Sequence, residues 1–255
     1  MLNVLFIGDV VGQASANYLT QQLPKLKKQY ETSVTVVNGE NSANGNGITP
    51  YSAKLLLSGG ADIITTGNHC FRRQEMNELY EESNVILRPA NLGDTYGKGV
   101  TVLDLGRTRL AVVNLMGRAF MEPCDNPFPC VDRLLKEIDT PNILVDFHAE
   151  ATSEKKAMGF FLEGRVSAVL GTHTHVQTAD EEILSGHTGY LTDVGMTGRR
   201  RSVLGIDKDV ILERLTSYYP RKHIYPEEGE FMINGAALSI DEKSGKCLSI
   251  QRVNC

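Results

Sequence analysis

The stretch Leu2-Asn-Val-Leu-Phe-Ile-Gly-Asp9 sets the pattern of the whole chain: a short apolar run that stops abruptly at a glycine and a polar residue. It reads as a strand. From Gln13 to Tyr30 the apolar period lengthens, with Leu19, Leu23, Leu26 and Tyr30 at helical spacing, so a helix follows the strand. The same rhythm recurs at Val34 to Val37, Ala61 to Thr65, Leu110 to Asn114, Ile143 to Phe147 and Val166 to Leu170, with helical spacing again at Arg73 to Tyr80 and Val131 to Ile138. Alternation of this kind predicts an α/β protein. Val100 to Leu105, Tyr190 to Asp193, Phe231 to Ile240 and Cys247 to Val253 add strands joined by tight turns, with Glu242 to Gly245 as a hairpin turn. Antiparallel pieces therefore border the sheet. Pro123 to Pro129 is expected to be a surface loop or lid.

Size and charge narrow the function classes. A chain of 255 residues with 41% hydrophobic and 22% charged residues suits one globular domain over residues 1–255 and excludes a disordered scaffold. The 26 basic and 31 acidic residues give a formal net charge of -5, which leaves no global footprint for duplex nucleic acid or an anionic membrane. Small anionic substrates stay open, because a site can carry its own positive charge. No apolar run approaches the roughly 20 residues of a membrane span. The first Lys is Lys25, so the start lacks the basic region of a signal peptide, and a cytoplasmic location is expected. Five cysteines without a CxxC pair fit reduced thiols.

The chemistry lies where the strands stop. Five runs end in oxygen or nitrogen donors: Gly8-Asp9, Asn38-Gly-Glu-Asn41, Gly67-Asn-His69, Asp146-Phe-His148 and Gly171-Thr-His-Thr-His175. The carboxyl ends of strands in an open α/β sheet share one rim, so residues distant in sequence converge there. Four of the six histidines are among them, while His187 and His223 sit in polar, turn-like surroundings outside. Two carboxylates, two amides and three imidazoles, with no thiolate, suit borderline or hard divalent ions. Seven donors exceed what one tetrahedral ion uses. Two ions about 3.5–4 Å apart, sharing a carboxylate, would use them all, and such pairs promote in-line displacement at phosphorus.

The same residues resemble the YmdB family of bacterial proteins, a branch of the calcineurin-like metallophosphoesterases. The resemblance rests on Phe6-Ile-Gly-Asp-Val-Val-Gly12, Asn38 to Asn41, Gly67 to His69, Arg88-Pro-Ala-Asn91, Asp146 to Glu154 and Gly171 to Asp180, and it spans nearly the whole chain. It implies a metallophosphoesterase-type αββα sandwich, two mixed β-sheets flanked by helices, with the metal site at the strand ends. One metal would be held by Asp9, Glu40, Asn41 and His175, and a second by Glu40, Asn68, His148 and His173, with Glu40 as the bridge. The ions implied are iron or manganese, with zinc or magnesium as alternatives. His69 is identified with the family's general acid, and a metal-bridging hydroxide with its nucleophile.

The substrate class so implied is the 2′,3′-cyclic nucleotides, and the family also suggests self-association. Arg88, Asn91, Thr172 and Thr174 are candidate substrate contacts, the first two reading equally well as a turn that anchors the sheet edge. Glu150, Asp180 and Asp193 are expected partners for metal-bound imidazoles. Arg199-Arg200-Arg201 reads best as a solvated turn, with contact to RNA ends as the alternative. Two other functions remain open: a regulatory protein that binds a phospho-ligand or a partner, and a phosphomonoesterase or nuclease of the same fold.

Overall fold

The computed structural model describes residues 1–255. Its first elements are β1 (Leu2–Ile7), β2 (Asp9–Val10), α1 (Gln13–Gln29), β3 (Val34–Asn38), α2 (Pro50–Ser58) and β4 (Ile63–Thr65). A 3-10 turn (Gln74–Met76) and α3 (Asn77–Glu82) lead to β5 (Val100–Asp104), β6 (Arg109–Met116) and α4 (Pro127–Glu137). Then come β7 (Ile143–His148), α5 (Thr152–Leu162), β8 (Ala168–Thr172), β9 (Glu182–Leu184) and β10 (Thr188–Leu191). The last part holds β11 (Met196–Arg199), a hairpin of β12 (Ser202–Val203) and β13 (Ile206–Asp207), α6 (Lys208–Thr216), β14 (Phe231–Ile240) and β15 (Cys247–Asn254).

The strands form two mixed sheets, one ordered β2-β11-β14-β1-β3-β4 with β15 on the far side of β14, the other β5-β6-β7-β8-β10-β9. Alternation within β1 shows how they stack. Leu2, Val4 and Phe6 join Leu110, Val112, Leu144 and Leu170 of the second sheet in one apolar cluster. Leu5 and Ile7 point the other way, onto Ala16, Leu19 and Leu23 of α1 and Leu56 of α2. On the outer face of the second sheet, Val113, Val145 and Phe147 meet Val131 of α4 and Met158 and Leu162 of α5. The layers are therefore helix, sheet, sheet, helix. Each such buried side chain contributes about 1.5–3 kcal/mol, so the order of layers is fixed by which face of each strand is apolar.

The first sheet forks near the rim. β1 runs antiparallel to β14 as far as Ile7 opposite Gly235, and beyond it β11 lies between β2 and β14, pairing Met196 with Asp9 and Thr197 with Ile233. The fork fixes Asp9 at the mouth of the sandwich. Two expectations change here. Pro127 to Pro129 form the first turn of α4, capped by Asn126 Oδ1 accepting from Phe128 N at 3.1 Å, so only residues 123–126 are loop. Arg73 to Tyr80 is divided between a 3-10 turn and α3.

Candidate metal centre

All seven expected donors lie at this rim, linked through a continuous set of contacts. Asp9 comes from β2, and Glu40 and Asn41 from the turn after β3. That turn is started by Asn38, whose Oδ1 accepts from Glu40 N at 3.2 Å, and continued by Ser42 N on Gly39 O at 3.1 Å. Gly39 matters through space: a Cβ there would lie 2.9 Å from Ile64. Gly67 is tighter still, since a Cβ would come within 2.2 Å of the His148 ring and 2.4 Å of Glu40 Oε2. Only glycine lets the backbone that carries Asn68 and His69 pass so close to the cluster.

His173 and His175 follow β8 in a strained loop. Their φ angles are 106° and 63°, a region that costs a residue with a side chain on the order of 1–3 kcal/mol. Thr174 between them is pinned to Asp193 Oδ2 through its N (3.1 Å) and Oγ1 (2.8 Å), and His173 N donates to Asp9 Oδ2 at 3.1 Å. Asp193 is in turn held by buried Lys155, Nζ to Oδ2 2.6 Å. The strain is thus imposed by a saturated set of bonds beside the cluster, and it turns both rings inward.

Around Glu40 three donors converge on one nitrogen. His148 Nε2 lies 3.2 Å from Glu40 Oε1, 3.1 Å from Asn68 Oδ1 and 3.0 Å from His173 Nδ1. The opposite nitrogen settles the tautomer. Thr172 Oγ1 gives its proton to Asp146 Oδ1 (2.7 Å), so at 2.9 Å it accepts from His148 Nδ1. In the neutral ring the Nε2 lone pair therefore faces two oxygen acceptors. Asn68 is held oxygen-inward because its Nδ2 donates to Glu122 Oε1 at 3.3 Å. Glu40, His148 and His173 each place a donor atom within 4.8 Å of the others.

A second convergence involves Asp9, Asn41 and His175. Asp9 is fully buried, yet its Oδ1 has no hydrogen-bond partner and lies 3.6 Å from His175 Nε2. His175 Nδ1 donates to Leu204 O at 3.1 Å, which turns the other nitrogen's lone pair toward that carboxylate. Asn41 Nδ2 donates to Glu40 Oε1 (3.0 Å) and approaches His175 Nε2 (3.3 Å), while Asn41 Oδ1 faces His69 Nδ1 at 2.8 Å. Buried lone pairs facing one another are unfavourable unless positive charge lies between them. The donor set fits divalent cations.

Without a bound cation, protons on His148 and His175 supply that positive charge instead. Burial alone would push the His148 imidazole down, but Glu40, Asp9 and Asp146 outweigh it and raise it to about 9. Burial likewise opposes the charged forms of Asp9 and His175, yet each partner overcomes it for the other, holding the carboxyl below the usual range and raising the imidazole. Glu40 is also lowered, the charge and hydrogen bond of His148 prevailing over burial. His173 is pushed down to about 3 by burial and by the charge on His148; with Nε2 against Glu150 Oε2, Nδ1 is the nitrogen left to donate an electron pair.

The remaining expectations divide. Glu150 does meet an imidazole, Oε2 to His173 Nε2 at 3.1 Å. Asp193 and Asp180 do not: Asp193 binds Lys155 and Thr174, and Asp180 binds Thr192 and Lys156. The substrate contacts expected of Arg88 and Asn91 are not available. The five donors of the Arg88 guanidinium meet the carbonyls of Pro89, Ala90, Gly93, Thr95 and Tyr96. Asn91 ties Met116 N and O to Asp125 O. Thr172 is buried and spent on Asp146 and His148, so it shapes the site from behind, whereas Thr174, though pinned by Asp193, lines the cavity over the cluster.

Sequence reasoning missed Asp146 as the carboxylate behind Thr172, and Glu122 behind Asn68. Asp146 left a signal, a lone acid in an apolar strand two residues before His148 and so on the same face. His223, expected outside, lines the cavity over the cluster together with His69, His175 and Tyr225.

Comparison with known proteins agrees with this architecture. The model of the YmdB-like proteins matches residues 5–253. The chain belongs to that family. It is 44% identical over 255 residues to a 2′,3′-cyclic-nucleotide 2′-phosphodiesterase of Bacillus subtilis, covering 99% of this chain and 96% of the relative. Among solved structures, a hypothetical protein of Thermus thermophilus superposes with a TM-score of 0.93 at 39% identity, covering 100% of this chain and 99% of the other. A phosphatase of Mycoplasma pneumoniae gives 0.93 at 30% identity, with 100% and 93% covered. No helix is long and apolar enough to cross a membrane.

Proposed function

We propose that this protein is a dinuclear metal-dependent phosphodiesterase acting on 2′,3′-cyclic nucleotides, the substrate class named for its Bacillus subtilis relative. The observation that carries the reading is the buried, unpartnered Oδ1 of Asp9 facing the inward nitrogen of His175, beside the second convergence at Glu40. Asp9, Glu40, Asn41 and His175 would hold one divalent ion, and Glu40, Asn68, His148 and His173 the other. Asn41 takes part through its amide oxygen once the amide is turned. Iron or manganese would suit this set, and such ions would supply positive charge for the phosphate and lower the pKa of a bound water, making hydroxide available as the nucleophile.

The chain's own groups do the rest. Asp146 and Thr172 keep His148 in one tautomer, Leu204 does so for His175, and Glu150 orients His173. His69 turns Nδ1 toward Asn41 and is partly exposed to the cleft, so Nε2 is the nitrogen left to hand a proton to the departing ribose oxygen. Burial lowers its basicity and Glu40 opposes that; an arriving phosphodiester anion adds to the pull of Glu40 and favours the charged form. The test is hydrolysis of 2′,3′-cyclic AMP by metal-replete protein. Turnover is expected, with His69→Ala lowering kcat by about 10²–10⁴ at unchanged metal content. Metal-replete protein with no turnover on any phosphodiester would sink the reading.

A further inference from the structure

Beside the cluster, the cleft opens into a second and larger cavity of different character. The cavity over the donors measures about 330 Å³, and its neighbour about 890 Å³. His69, Gly45, His223 and Tyr225 line both, so the two are one continuous cleft with His69 at the junction. The outer part is basic: Arg73, Arg214, Arg221 and Lys222 against a single lining carboxylate, Glu227. This concentration of positive charge stands on a chain whose net charge is -5.

Three of the four basic groups are held in place and keep donors to spare. Arg73 donates through Nε to Asn46 O (3.1 Å), Arg214 through Nη1 to His223 Nε2 (2.5 Å), and Arg221 to the Glu213 carboxylate. A guanidinium has five N–H donors, so each retains some for an anion. The segment carrying three of them is closed at its base, where Asp207 N donates to Ile224 O at 2.8 Å. Tyr225 fixes its far side, its ring against Gly45 and its hydroxyl donating to Gly45 O at 3.3 Å. Residues 208–224 thus form an excursion from the rim that places cations beyond His69, on the side away from the donors.

A cyclic phosphate at the donor cluster presents its ribose oxygen to His69, so whatever extends past His69 is the remainder of the nucleotide. We infer that the preferred substrate carries a further phosphate on the 5′ side of the ribose, held by Arg73, Arg214, Arg221 and Lys222. Such a phosphate belongs either to a mononucleotide bearing both a 5′-phosphate and the cyclic group, or to the 3′ end of a short single-stranded oligoribonucleotide. This rests on the phosphodiesterase reading and adds what that reading leaves open. The bonds broken and formed are those of the cyclic ester alone; the second phosphate contributes binding.

The experiment compares three substrates on the metal-replete protein: adenosine 2′,3′-cyclic phosphate, its 5′-phosphorylated form, and the dinucleotide ApA ending in a 2′,3′-cyclic phosphate. The added phosphate is expected to raise kcat/KM about tenfold or more in at least one case, and the gain should shrink as salt is raised. A gain for the 5′-phosphate alone identifies the mononucleotide, and a gain for the dinucleotide identifies RNA ends. Lys222→Gln and Arg214→Gln, both on an exposed segment, should bring the ratio back toward one. Equal kcat/KM for all three substrates, or a gain that both substitutions leave intact, overturns the inference while the phosphodiesterase reading stands. Turnover of none of the three overturns both.

Discussion

Two groups of buried charge adjoin one another at the rim, and only one of them is complete. Lys155 and Asp193 are each about 1% exposed, and both carboxylate oxygens are answered: Asp193 Oδ2 takes Lys155 Nζ, Thr174 N and Thr174 Oγ1, and Oδ1 takes Gly195 N. In the group of Asp9, Glu40 and His148, by contrast, the imidazole nitrogen faces oxygen acceptors that only an added proton or cation answers, and one carboxylate oxygen has no partner. A satisfied buried pair fixes geometry. An unsatisfied one at a mouth is suited to a ligand, because removing charge from water with no internal partner costs several kcal/mol that a bound cation can offset. The saturated pair serves the unsaturated group, since Asp193 clamps the loop that carries His173 and His175.

Substitutions on the two sides of this contrast should separate function from stability. Asp9→Asn removes a carboxylate whose Oδ1 has no hydrogen-bond partner. Turnover should fall about a thousandfold or more with loss of bound metal, while the stability of metal-stripped protein falls much less than in Lys155→Met, as calorimetry on stripped samples would show. A large drop in stability would mean that Asp9 is structural after all. Lys155→Met does the reverse, leaving Asp193 charged and unpaired; unfolding in urea should show a loss of about 3–5 kcal/mol. A neutral result would break the comparison.

A surface counterpart sharpens it with a smaller effect. Next to Lys155, Lys156 Nζ reaches Asp180 Oδ2 at 3.0 Å, and Thr192, next to Asp193, donates to Asp180 through N (3.2 Å) and Oγ1 (2.5 Å). Burial raises the Asp180 carboxyl, but these bonds and one from Thr178 hold it down at about 2. A carboxyl lowered on folding contributes stability above its unfolded value near 3.9, and that contribution disappears as pH falls from about 4 through about 2. With its side chain 31% exposed, solvent screening leaves about 1 kcal/mol. Asp180→Asn should therefore cost about 1 kcal/mol at pH 7 and progressively less below pH 4, measured by urea titrations across that range. A difference that persists unchanged to pH 3 would locate the effect elsewhere.

The fold was legible where apolar patterning dominates. Leu2 to Ile7 and Phe231 to Ile240 have the predicted limits because an apolar, largely buried run is bounded by turn-forming residues, Gly8-Asp9 after the first and Gly229-Glu230 before the second. Helix α5 was not legible: Gly159 interrupts it, and the reason for that glycine is Tyr190, a distant residue that a Cβ would meet at 2.6 Å. Helix α6 buries none of its residues, so no apolar stripe announces it. At the site, the donors could be found because each stands at a strand end. Their supports could not, because Thr172 reaches His148 only through the pairing of β7 with β8, where the two residues are directly opposite. Register is a property of two strands together, and neither segment carries it alone.

The division of the donors between the two sheets also has a consequence in time. Asp9, Glu40, Asn41 and Asn68 all precede the first donor imidazole, His148, which follows Asn68 by 80 residues. At about 5–20 residues per second, roughly 4–16 s of synthesis separate the two sets. A nascent chain therefore offers oxygen ligands alone, and the mixed donor set exists only once β7 and β8 have been laid against the first sheet. If these donors hold metal as proposed, its capture belongs at the end of folding, and metal content counts the molecules that have finished.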